Sequence, residues 1–469
     1  MTRLAGLVAG GSSRGRINMN DKHRGNTGFS MAQAQLQQLV SDALNEAKQL
    51  GATACDVDIT EGVGQSVAVR LGEVETIEYN RDKAISITAY VGQAKGHASS
   101  SDFSPAAIAQ TAAAAVAIAR HTAADPCAGL PDADRLATTF RELDLYHPWS
   151  IDVESAITMA LDCEAAARGV DPRISNSEGA NVASHTSHSV FANSLGFMGY
   201  QQSSRHYLSC TVIAQEGEAM QRDYWHSSQR CPDDLDTPEA VGRKAGERAL
   251  SRLGARRIPT GEYPVLFEPA MAAGLLGHFV SAISGGALYR GATFLADSLG
   301  KQVFSPIVRL SEDPFIPRAF GSGNFDAEGV ATQARDLLVD GVVQGYILGS
   351  YSARKLGMQS TGNAGGTHNL ILHSTAGDFT DMLKRLGTGL LVTEMLGQGV
   401  NSVTGDYSRG AAGYWVENGQ IMYPVEEITI AGNLKDMFRQ IVAIGSDVEI
   451  RGAKRLGSVL IERMRVAGL

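Results

Sequence analysis

Apolar residues at Leu36, Leu39, Val40, Ala43, Leu44 and Ala47 recur at steps of three and four, which predicts an amphipathic helix over 32–50. Gly51 stops it, because glycine accepts the left-handed backbone in which helices end. The period then changes. Val67, Val69 and Leu71, and later Ile85, Ile87 and Ala89, alternate with other residues. A period of two predicts half-buried strands, joined here as an antiparallel ribbon. Ser104-Pro105 is a cap followed by proline at the first helical position, and an Ala-rich helix should run to about His121. Residues 122–147 read as a connection, 153–168 as a helix, and 176–229 as strands and turns, with a turn at Asn193–Gly196. Thr237-Pro238 opens another helix that ends near Gly254.

The segment Arg256–Pro264 has prolines, a glycine and no period, and the domain boundary is placed there. After it come a short helix over 270–283 and Gly-bounded apolar stretches such as Leu337–Leu348 and Tyr414–Val425. Asn418-Gly419 between apolar runs is the strongest hairpin signal, and Leu434–Val442 reads as a helix. The fold class is α+β with two domains: an N-terminal helix/antiparallel-sheet domain over 31–255 and a β-rich C-terminal domain over 256–469. Residues 1–30 carry five basic side chains against Asp21 and no apolar period, and are expected to be a disordered extension. The organised pattern begins after Met31, so an over-extended start-codon assignment is the expected explanation of this segment, with a targeting signal as the other. Its formal G-x-S-x-G, Gly11–Gly15, has neither the strand before it nor the helix after it that a nucleophile elbow needs.

Composition narrows the function. Lys+Arg 41 against Asp+Glu 50 gives −9, which weighs against a nucleic-acid partner. No apolar run approaches the 18 or so residues of a membrane helix. Five cysteines, an odd number with no close pair, imply free thiols in a reducing compartment and a cytoplasmic location. There is no P-loop, no C-x-x-C and no H-E-x-x-H. His185 and His188, and likewise His368 and His373, lie in strand-like surroundings that put each pair on opposite faces. Asp326 and Glu328 in "FDAEG" could bind a metal or exchange protons, and an acidic turn before Gly329 is the plainer reading. Asp406 reads as a turn residue, and Tyr224, Trp225 and His226 as a packing group. Residues alone support a two-domain, β-rich protein.

Longer blocks say more. "GLLGHFVSAISGG" (274–286), "LADSLGKQVFSP" (295–306), "DAEGVATQ" (326–333), "STGNAGG" (360–366) and "TGDYSRGAAGYWVENGQIMYPVEEITIAGNL" (404–434), with "SEGANVASHTSHSVFANSLGFMGY" (177–200) upstream, together resemble the TldD/PmbA family, in its PmbA (TldE) branch. The resemblance runs from about Met31 to Leu469. It implies a subunit of a bacterial metallopeptidase complex that hydrolyses peptides, with leader-peptide processing and antitoxin or unfolded-peptide degradation as roles. In that family the TldD-type subunit resembles a zinc enzyme with a His-Glu-x-x-x-His helix and a later cysteine. Aligned on that helix, this chain has Gly277 at the first His, His278 at the Glu and Ala282 at the second His; Leu456, before Gly457, falls at the cysteine. Glycine, alanine and leucine cannot ligate, and a zinc site needs at least three protein ligands.

The resemblance therefore implies a non-catalytic subunit with no metal or cofactor of its own. Zinc is expected in a TldD-type partner, as a heterodimer, with a homodimer as the other assembly. Peptide substrates are expected, and neither nucleic acid nor membrane. Asp326, Glu328, Asn363 and Asp406, all in the matching blocks, are the expected peptide- or partner-binding residues. Two other readings stand beside it: a self-sufficient metallopeptidase using His278, Asp326 and Glu328, and a regulatory protein that binds a client such as gyrase.

Overall fold

A computed structural model of the protein describes residues 28–469. The first unit is built from α1 (Gln33–Gln49), β1 (Ala54–Arg70), β2 (Glu73–Val91), β3 (Ala94–Ser100), α2 (Pro105–His121), α3 (Val153–Arg168), β4 (Asn176–Asn193), β5 (Met198–Glu216), β6 (Ala219–Gln229) and α4 (Pro238–Ser251). Each half is therefore a helix, three antiparallel strands and a helix. The halves join through β1 and β4 into one sheet of order β3-β2-β1-β4-β5-β6. The ribbon foreseen around 67–89 is longer than the sequence period shows, because Gly62 and Gly64 lie in the middle of β1. Leu71 is not a strand residue: with Gly72 it makes the turn, both at positive φ.

One face of this sheet is covered by helices. Cys55, Val57 and Ile59 at the start of β1 are buried with Leu36 and Val40 of α1 and Ile108 and Val116 of α2. Val67 and Val69, at the other end of the same strand face, are buried with Ala160 of α3 and Val241 of α4. The helix pair α3/α4 approaches very closely. A Cβ on Gly242 would stand 2.0 Å from the Cys163 carbonyl oxygen, and one on Gly246 would stand 2.5 Å from that of Ala167. Between the two helix pairs sit two fully buried partners on adjacent strands, Glu61 and His188, at 3.2 Å. Phe29 stacks on His188 at 3.9 Å between centroids, and the Ser30 amide donates to Glu61 at 2.8 Å. Gly28–Ser30 are thus seated on the sheet, while residues 1–27, including Gly11–Gly15, lie outside the described residues. His185 points to the opposite face, against Gly62 and Gly64.

The second unit comprises β7 (Gly261–Phe267), α5 (Pro269–Ala282), α6 (Gly285–Tyr289), β8 (Leu310–Asp313), β9 (Arg335–Val339), β10 (Val342–Val343), α7 (Ser350–Lys355), β11 (Asn369–Leu372) and α8 (Phe379–Leu386). It continues with β12 (Gly389–Leu396), β13 (Asp406–Glu417), β14 (Gln420–Asn433), α9 (Leu434–Arg439), β15 (Ile441–Ile444), β16 (Glu449–Arg451), β17 (Lys454–Leu456) and β18 (Val459–Ala467). One sheet runs β10-β9-β8-β11-β17-β16. The other runs β14-β13-β12-β7-β18-β15, and β14 also pairs with β18, so five of its strands close on themselves. The α+β class with a β-rich second half is what the structure has. The helix expected to reach Val442 stops at Arg439, and Val442 is exposed in β15. The apolar stretch 337–348 is a hairpin turning at Asp340-Gly341, both at positive φ. α5 packs in the core shared by both sheets: Leu275, Leu276 and Phe279 are buried there with Val265 of β7, Leu310 of β8 and Leu456 of β17. Among the described residues no helix is long and apolar enough to cross a membrane.

Candidate functional site

Pro269 starts α5 and Gly274, Gly277, His278 and Ser281 share the stripe of it that is not buried. The opposite stripe, with Ala282, is buried in the core. Two strands bring side chains to the open stripe. From β17, the Lys454 ammonium donates to the Ala273 carbonyl at 3.1 Å and lies 3.4 Å from where a Cβ on Gly277 would be. From β13, Tyr407 meets the His278 ring edge-on at 6.0 Å between centroids, and Arg409 lies alongside. Burial, Arg409 and Lys454 together hold His278 below the usual histidine range, so the ring is neutral. Burial likewise lowers Lys454.

The residues at this position do not fit a zinc ion. Gly277 and Ala282 offer no ligand atom, Leu456 is buried in the core, and the nearest charged group is a cation. Among the described residues no three His, Cys, Asp or Glu side chains come together in a group that could hold a metal.

Three of the other expected residues meet elsewhere, in a clamp between two loops. Asp326 Oδ1 accepts the amides of Glu328 at 2.9 Å and Val330 at 3.0 Å, and Oδ2 accepts that of Ala364 at 2.9 Å. Burial pushes its carboxyl up to about 6, against the pull of those amides. Glu328 accepts the Ser350 amide at 2.9 Å. Asn363 donates to Glu312 at 2.8 Å and accepts from Arg335 at 2.7 Å, while Arg335 also donates to Glu312 at 2.9 Å. Asp326, Asn363 and Glu312 are buried, so this block ties "DAEG" to "STGNAGG" and carries the fold. Glu328 faces the first unit: with burial as the main cause, it helps push Asp56 of β1 up to about 6. Asp406 is exposed and accepts from Thr404 at 2.6 Å and Asn433 at 3.1 Å, fixing the loop that leads into β13.

Of the expected packing group, Trp225 packs against the α3/α4 core while Tyr224 is exposed and stacks on His226; Trp225 also carries the guanidinium of Arg451, from β16, at 4.8 Å from its ring centroid. All five cysteines are free thiols. Lys454, Tyr407 and Arg409 were not singled out from the sequence. The available signal was spacing: Tyr407 and Arg409 are two apart in a strand, as are Lys454 and Leu456.

Known families give the frame for this site. The descriptions PmbA/TldA metallopeptidase domain 1, central domain and C-terminal domain match residues 55–119, 146–253 and 260–468. The chain belongs to the PmbA/TldD family. Among PmbA relatives, "Metalloprotease PmbA" of Escherichia coli O157:H7 is 48% identical over 443 residues, covering 94% of this chain and 98% of the relative. "Metalloprotease PmbA homolog" of Haemophilus influenzae is 47% identical over 444 residues, with 94% and 98% covered. A Bacteroides thetaiotaomicron protein provisionally assigned as a modulator of DNA gyrase has the same fold, with TM-score 0.89, 28% identity, and 94% of this chain and 100% of that chain covered. TldE of Thermococcus kodakarensis shares the fold at TM-score 0.82 and 19% identity, covering 92% of this chain and 100% of its own.

Proposed function

We propose that this chain is the non-catalytic, PmbA/TldE-like subunit of a TldD/PmbA-type metallopeptidase complex that hydrolyses peptides. It pairs with a TldD-type chain in the cytoplasm, and that partner brings the zinc. The observation that carries this reading is the Lys454 ammonium lying against Gly277, where the zinc helix of the resemblance would present its first ligand. A fixed cation beside a metal position opposes binding of a second one, since like charges in a partly buried site repel strongly. The self-sufficient alternative is not supported, because His278 sits on α5 and Asp326 and Glu328 are committed to the loop clamp.

Peptide handling has a physical basis beside the same helix. The pairing of β12 with β7 ends at Val392, so Thr393–Leu396 keeps one backbone edge without a strand partner. An extended chain can add to such an edge through main-chain hydrogen bonds, largely regardless of sequence. That suits a peptidase acting on unfolded chains. The test is co-expression with a TldD-type chain, followed by peptide cleavage assays on each chain alone and on both together. Cleavage only in the mixture is the expected result; robust, chelator-sensitive cleavage by this chain alone would refute the proposal.

A further inference from the structure

The open face of α5 is unusual for its charge. Lys454 reaches it from β17, and Arg409 lies on the face of β13 that Tyr407 turns toward His278, near enough to act on the His278 charge. Among the described residues neither cation makes an ion pair: Lys454 has only the Ala273 carbonyl, and Arg409 Nε is buried without a hydrogen-bond partner. A half-buried ammonium met only by a backbone carbonyl, and a guanidinium whose Nε is buried and unmet, are each costly unless an anion joins them. A second, independent feature lies beside this cluster. Met395, on the unpaired edge of β12, has its sulfur 3.9 Å from the Tyr407 hydroxyl, and Tyr407 in turn meets His278. That edge is thus linked through Met395 and Tyr407 to His278 on the open face of α5.

We propose that the His278–Arg409–Lys454 cluster is a carboxylate-binding site that holds the free C-terminus of an extended peptide laid along Thr393–Leu396. Where the resemblance would put a metal to cleave a peptide, this chain has cations to hold the end of one. Lys454 and Arg409 donate to the carboxylate, and the neutral His278 adds a ring N–H. Gly277 leaves the space for this, since a side chain there would meet the ammonium. The inference deepens the reading above by naming its ligand, and its test does not involve the partner chain.

The experiment is fluorescence anisotropy of the full chain, in chelator, with a labelled unstructured peptide ending in a free carboxylate and with the same peptide ending in an amide. The carboxylate form should bind roughly tenfold or more tightly, the size of one charge-assisted hydrogen bond. Lys454→Met and Arg409→Gln should each weaken the carboxylate peptide roughly tenfold and leave the amide peptide unchanged, whereas Lys454→Arg should keep the preference. Circular dichroism confirms that each variant is folded; Arg409 is only half-buried, so Arg409→Gln serves if Lys454→Met does not fold. Equal affinity for the two peptides, no binding of either, or an unaltered preference in the folded variants would overturn the assignment. Loss of partner-dependent hydrolysis, by contrast, bears on the subunit role alone.

Discussion

Replacing Asp326 separates a structural clamp from a ligand site. Its two oxygens accept three amides at 2.9–3.0 Å, and the residue is 5% exposed. Asp326→Asn keeps a carbonyl oxygen for Glu328 and Val330 but turns an N–H toward the Ala364 amide, leaving one buried donor unmet at a cost of about 1–3 kcal/mol. Asp326→Ala leaves all three unmet, and several kcal/mol should be lost, on the order of 3–6. For a unit of this size each kcal/mol moves the thermal midpoint by roughly 2–4 °C. Scanning calorimetry should therefore give a graded fall, wild type above Asn above Ala, and hydrogen exchange should speed up at Val330 and Ala364. Peptide affinity of the folded Asn variant should match wild type. An unshifted midpoint in Asp326→Ala together with lost peptide affinity would refute the clamp and restore Asp326 as a binding residue.

Further tests address other parts of the molecule. Gly242→Ala gains up to about 1 kcal/mol of helix propensity but drives a methyl into the Cys163 carbonyl, and overpacking of about 1–3 kcal/mol should win, read as a lower denaturant midpoint. Gly277→Ala has the opposite balance, because its methyl meets only the Lys454 ammonium at 3.4 Å; stability should be unchanged or rise by up to about 1 kcal/mol. Asp56, at about 6 in the fold against an ordinary 3.8, binds its proton more tightly folded than unfolded. Its contribution therefore lowers stability as pH rises from about 4 to about 6, by at most about 3 kcal/mol. Asp326, Asp58 and Glu268 act in the same direction, so Asp56→Asn should make the fall in stability over this range shallower without removing it; parallel wild-type and variant curves would contradict it.

The helices were legible because their signals are local. Ser104 and Thr237, the helix starts read from the sequence, cap α2 and α4 by accepting amides, Asp152 does the same for α3, and the apolar stripe of α1 is the buried one. Strand lengths were less legible: Gly62, Gly64 and the polar run 73–82 break the two-residue period, although β1 and β2 pair through all of it. The pairing of β7 with β18 and the meeting of α5 with β13 and β17 join residues more than a hundred positions apart, and no local pattern encodes that. The blocks contain the α5 helix and the two loops that form the clamp. They did not separate residues that hold the fold, such as Asp326 and Asn363, from those that face outward, because burial is a tertiary property.

The central claim is that a cation from β17 lies against α5 of this chain where the zinc helix of a TldD-type chain is expected to carry ligands. The most direct measurement is zinc content by mass spectrometry after dialysis, on this chain alone and on its complex with a TldD-type chain. The account predicts no tightly held zinc in the chain alone and one per complex. A stoichiometric zinc on the unpartnered chain, lost on changing His278, would contradict it.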